Sequence, residues 1–171
     1  MQNYFELFDL KTSFFVDDDA LKKAYQAQVT RFHPDNFATK SQTEQLQALQ
    51  NTSLVNSAYT ALKTPLNRAS YLLNLEDVNP FDEKDTNMDT NFLVSQIELR
   101  EQLESIKEQQ DNLALDDFIE RVQDFIRDNV ASISEAFTQS RDLQEIKTLV
   151  RELKFYEQLN KEANMLMDEW L

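Results

Sequence analysis

Apolar side chains recur at helical spacing along most of the chain, and no segment alternates as a half-buried strand would. After a short cluster, Tyr4, Phe5, Leu7 and Phe8, Asp17 stands before Asp18 and Asp19. A capping oxygen followed by acids suits the positive end of a helix dipole, so a helix is predicted to start there. Leu21, Ala24, Tyr25, Val29 and Phe32 give it one apolar stripe. Pro34 lacks an amide hydrogen and biases His33 away from helical geometry, which should end the helix near Phe32 and leave His33, Pro34 and Asp35 in a loop. Ser41, Gln42, Thr43 and Glu44 read as a capping box, followed by an apolar face of Leu46, Leu49, Val55, Ala58, Tyr59 and Leu62. These two helices are expected to form an antiparallel hairpin. Thr64 and Pro65 then fit the cap and first position of a short helix carrying Leu66, Ala69, Leu72 and Leu73.

Periodicity lapses over 76–89, where an Asn-Pro step and several acids read as a connection between domains. Three longer helical patterns follow, at 90–110, 116–139 and 141–171. Their expected core seams are Phe92, Leu99, Leu103 and Ile106; Ile119, Val122, Ile126, Ile133 and Phe137; and Ile146, Leu149, Leu153, Tyr156, Met167 and Trp170. Short connections favour antiparallel neighbours, so these helices should pack as a three-helix bundle. The expected fold is all-α, with a helical hairpin domain over 1–75, a connection over 76–89 and a bundle over 90–171.

Composition narrows the chemistry. The chain has no Gly, which excludes phosphate-cradling loops, dinucleotide fingerprints and the strained nucleophile elbow. It has no Cys and one His, so neither a thiolate site nor a multi-histidine metal site can form, and no metal or cofactor is expected. Paired carboxylates need a cleft that a hairpin and a small bundle scarcely offer, so the chain is not expected to be an enzyme. The net charge of −14 is uneven: residues 1–75 hold seven basic and seven acidic side chains, and the whole excess lies beyond them. Such an acidic half repels phosphate backbones and anionic lipid, which argues against nucleic-acid and membrane partners. The start lacks the features of a signal peptide and no apolar run approaches a membrane span, so a cytoplasmic monomer is expected.

What remains is the His33-Pro34-Asp35 loop itself, behind a helix carrying Lys22, Lys23 and Arg31 and no acid after Asp19. An ordinary polar loop is the plain reading, but a basic helix beside it is unusual in a chain this acidic. From Tyr4 to Leu73 the sequence resembles a J-domain. The stretches Tyr4-Phe5-Glu6-Leu7-Phe8, Phe32-His33-Pro34-Asp35-Asn36-Phe37, Val55-Asn56-Ser57-Ala58-Tyr59, Pro65-Leu66-Asn67-Arg68-Ala69-Ser70-Tyr71-Leu72-Leu73 and Ile97-Glu98-Leu99-Arg100-Glu101 are together similar to the HscB-type co-chaperone of iron-sulfur cluster biogenesis, over nearly the whole chain. The resemblance implies that His33, Pro34, Asp35, Lys22, Lys23 and Arg31 engage an HscA/DnaK-class chaperone ATPase and stimulate it. Asn36 departs from the Lys that the family often has, removing a positive charge beside the loop.

On the helix starting near Thr90, Leu93 and Ile97 lie about 120° from the core stripe, with Glu101 and Glu104 continuing their side. Phe155 and Leu159 are likewise off the expected seam of the last helix. Such pairs either widen a core or face a partner. The resemblance implies the latter, with Leu93, Val94, Ile97, Glu98, Glu101 and Phe155 binding an IscU-type iron-sulfur scaffold. Ser105 stands where the family uses an acid, which would shift an acidic contact, for instance to Glu104. The alternatives are a helical adaptor unrelated to chaperones and a J-protein for a different client.

Overall fold

The computed structural model describes residues 3–82, 84 and 89–171, and among these every regular element is helical. Positions 83 and 85–88 of the expected connection lie outside the described residues. The chain divides into two compact units, Met1–Leu72 and Leu73–Leu171.

The first unit contains α1 (Tyr4–Leu7), α2 (Asp18–Arg31), a 3-10 turn (Pro34–Phe37), α3 (Gln42–Lys63) and most of α4 (Pro65–Leu75). Asp17 caps α2 through the amides of Asp19 and Ala20, and α2 closes on Phe32. Ser41 caps α3 through the Glu44 amide, and the Thr64 hydroxyl accepts from Asn67 at the start of α4. Phe5, Phe8, Leu21, Val55, Ala58 and Leu62 form the core, flanked by the stacked rings of Tyr25 and Tyr59, 4.1 Å apart. The Tyr71 hydroxyl accepts from the Tyr4 amide at 3.0 Å, and the two rings stack. Arg68, although buried, donates to the Leu62 and Phe14 carbonyls and lies 3.7 Å from Asp18, so α4 holds the loop that leads into α2.

Val55, Ala58 and Leu62 of the expected face of α3 are buried, but Leu46 and Leu49 are exposed, and the first turns are seated through Ala48 and Thr52 instead. Small and polar residues carry those turns, so counting large apolar side chains selects the wrong side there.

The second unit packs α5 (Thr90–Gln109), α6 (Asn112–Thr138) and α7 (Leu143–Glu169) against one another, with α6 and α7 most extensively paired. Asp89, Asp111 and Asp142 cap them, and α6 starts four residues before the expected 116. The stretch between α4 and α5 is more than a bare linker, since Pro80 is buried and Lys154 of α7 sits over the Phe81 ring at 4.3 Å. Lacking glycine, the chain places Asp9, Asp77, Gln110 and Arg141 in the left-handed region, at φ of 56°, 60°, 53° and 51°. A residue with a Cβ costs about 1–2 kcal/mol there, offset at Gln110 by its amide closing the last turn of α5.

The seam of α7 also differs. Ile146, Val150, Leu153, Phe155, Leu159, Ala163 and Leu166 are buried, whereas Tyr156, Met167 and Trp170 are only partly so. A single stripe was expected, but α7 meets both α5 and α6, so its buried arc is wide. Phe155 points to α5, where Phe92 meets it edge-on at 5.7 Å.

Asn129 is buried in the middle of α6, and its Oδ1 has no hydrogen-bond partner. Removing an unmet acceptor relieves its desolvation, so Asn129→Leu should raise stability by about 1 kcal/mol in denaturant unfolding; a loss of stability would contradict this assignment. Burial raises the Glu157 carboxyl above its ordinary range, meaning that the folded state binds its proton more tightly than the unfolded chain. Ionised Glu157 therefore weakens the fold at neutral pH. Glu157→Gln should stabilise the protein there, and thermal melts should show the gain shrinking as pH falls through the raised value and vanishing below the unfolded one.

Candidate functional site

Pro34 and the end of α2 fix the loop locally. His33 takes an extended backbone, φ −60° and ψ 136°, as the residue before a proline should, and its Nδ1 accepts from the Asp35 amide at 3.2 Å. That bond places the neutral ring's proton on Nε2. The His33 side chain is half exposed and the Asp35 carboxylate almost fully so. Three side chains hold the loop from beneath. The Asn36 amide donates to the Thr30 carbonyl at 2.7 Å, the Thr52 hydroxyl to the Phe32 carbonyl at 3.2 Å, and the Gln45 amide to the carbonyls of Phe37 and Lys40 at 3.1 and 3.2 Å. Asn36 thus removes a charge but gives the Thr30 carbonyl, which the His33 amide reaches at 3.4 Å, a second and shorter donor at the end of α2.

Lys22, Lys23 and Arg31 are all exposed, yet they do not share one face. Helical geometry turns Arg31 about 80° from Lys23 and about 180° from Lys22. Arg31 instead stacks on Phe32, 5.2 Å from the ring centre, at the loop end of α2.

In the second unit Phe92 and Leu99 carry the buried side of α5, and Leu93, Val94 and Ile97 are 40, 48 and 59% exposed. Glu98 and Glu101 are exposed on the same outward side. An apolar cluster edged by carboxylates suits a partner with complementary apolar and basic groups. Phe155 was expected to share this exposure and does not. It is 8% exposed, packed on Phe92 and Tyr156, and covered by the Arg100 guanidinium at 5.4 Å. Leu159 beside it is fully buried. The expected exposure of that pair is thus not found: both belong to the core packing, where Phe155 gives α5 an aromatic platform on α7.

The sequence reading missed Gln45 and Thr52 as supports of the loop. Thr52 did leave a signal, being a polar residue at helical spacing from Ala48 and Val55. Among the described residues no group of His, Cys, Asp and Glu could hold a metal ion, and no helix is long and apolar enough to cross a membrane.

The DnaJ domain family model matches residues 3–71, and that of the HSCB C-terminal oligomerisation domain matches 88–164. A co-chaperone protein HscB homolog of Photobacterium profundum is 37% identical over 165 residues, covering 96% of each chain, and one of Vibrio cholerae is 40% identical over 170 residues, covering 99% of each. The solved structure of chaperone HscB from Vibrio cholerae superposes with a TM-score of 0.89 at 38% identity, over 99% of this chain and 100% of that one. Human co-chaperone protein HscB gives a TM-score of 0.89 at 30% identity, over 96% of this chain and 82% of that one. With its loop on a helical hairpin and its bundle matching along their lengths, the chain belongs to the HscB family of J-domain co-chaperones.

Proposed function

We propose that the chain is a cytoplasmic, non-enzymatic adaptor that binds an IscU-type iron-sulfur scaffold, delivers it to an HscA/DnaK-class chaperone and stimulates that chaperone's ATPase. Residues 1–75 act as the J-domain, 76–89 as a connection and 90–171 as the scaffold-binding domain. The observation that carries the reading is the unpartnered apolar cluster Leu93, Val94 and Ile97 with Glu98 and Glu101 beside it, in a chain whose other unit presents a firmly held His33-Pro34-Asp35 loop. Each partner bound raises the effective concentration of the other. Hydrolysis takes place in the chaperone's own site. His33, Pro34 and Asp35 change its rate by docking, with Lys22, Lys23 and Arg31 steering the approach, so the coupling is allosteric. Phe155 serves the scaffold surface as the platform beneath α5.

In a steady-state ATPase assay His33→Gln or Asp35→Asn should abolish stimulation while stability stays within about 0.5 kcal/mol, since both side chains are exposed. Full stimulation by either variant would remove the loop from the mechanism. Reversing Lys22 and Lys23 to Glu should weaken docking most at low salt. Calorimetric titration separates the bundle residues. Leu93→Ala with Ile97→Ala should weaken scaffold binding by about 2 kcal/mol and leave the melting transition in place. Phe155→Ala should cost about 3 kcal/mol of fold stability through the cavity it leaves. An unchanged scaffold affinity in the Leu93/Ile97 variant would favour a different client or an unrelated adaptor role.

A further inference from the structure

On α5 the residues Leu93, Ile97, Arg100, Glu104 and Lys107 follow at intervals of four, three, four and three, which keeps them along one side of the helix. The first two belong to the proposed scaffold surface. The other three border a groove of about 380 Å³ between α5 and α7. Its apolar lining comes from Leu103, Leu166 and Met165, and Met165 is 55% exposed.

The charges at the rim are not equivalent. Arg100 is already engaged, pairing with Glu162 at 3.0 Å while its guanidinium covers the Phe155 ring. With that pair closed, Glu104 and Glu169 stand against one cation, Lys107, leaving the rim one negative charge in excess. An anionic group would meet repulsion there, and a purely apolar one would strip water from carboxylates without compensating them. A long aliphatic stem ending in a cation satisfies both parts of the groove.

We propose that this groove extends the scaffold-binding surface and seats a lysine or arginine side chain of the scaffold, its stem on Leu103, Met165 and Leu166 and its cation at the carboxylates of Glu104 and Glu169. This rests on the scaffold-binding reading of Leu93 and Ile97. The α5 face is then a two-part surface, apolar toward its N-terminal end and cation-selective toward its C-terminal end.

Titrating an IscU-type scaffold into the full chain by calorimetry, at low and at physiological salt, tests it with three variants. Glu104→Lys with Glu169→Lys should bind about tenfold more weakly at low salt, with a smaller gap at the higher salt. Met165→Ala should bind more weakly at both salts, and so should Ile97→Ala. Wild-type affinity in the double charge variant, alongside a weakened Ile97→Ala, would overturn the groove proposal and leave the scaffold reading standing. Unchanged binding in all three would overturn both. Sedimentation equilibrium covers the other occupant: a wild-type dimer that the double charge variant converts to monomer would assign the groove to a second copy of the chain and overturn the proposal.

Discussion

The pairing of α6 with α7 is the interaction on which the second unit depends. Leu115, Phe118, Val122 and Ile133 from one helix and Ile146, Val150, Leu153 and Leu159 from the other are almost wholly removed from water, and α5 is laid against the pair they make. Because α5 meets that pair along a single stripe, its opposite side has nothing to bury against. Leu93, Val94 and Ile97 lie there. The exposed part of these apolar side chains adds nothing to the unit's own stability, and a contiguous patch of this kind is a feature of interaction surfaces.

In the first unit the same logic fixes a loop instead of a face. Proline ends α2, and carbonyls on both sides of the chain reversal accept from the side chains of Asn36, Thr52 and Gln45. Arg68 and Tyr71 on α4 tie down the N-terminal segment. The loop is thereby held in one geometry while His33 and Asp35 stay open to solvent. Several residues that gave the sequence its resemblance, among them Tyr4, Asn56, Tyr59, Arg68 and Tyr71, are engaged in contacts within this unit.

Much of this was legible in the sequence. The caps at Asp17 and Ser41, the stop before Pro34, the all-helical content and the outward side of α5 all follow from local rules in which one residue type has one physical use. The misreadings have a common cause. Leu46, Leu49 and Phe155 were placed by assuming one stripe of large apolar residues per helix. The first turns of α3 instead pack through Ala48 and Thr52, and α7 serves two neighbours at once. Which side of a helix is buried depends on what lies opposite, and that is not encoded within the helix. Gln45 escaped notice for a related reason, since an amide that gathers carbonyls from a distant loop looks like any surface glutamine in sequence.

If the two sites act together, scaffold and chaperone are linked through this chain, and the coupling should appear in the chaperone's turnover. The most direct measurement is the chaperone's steady-state ATPase rate with the chain alone, with the scaffold alone and with both, across a range of scaffold concentrations. The account predicts that the two together accelerate hydrolysis by more than the product of their separate effects. A combined effect no greater than that product would contradict it.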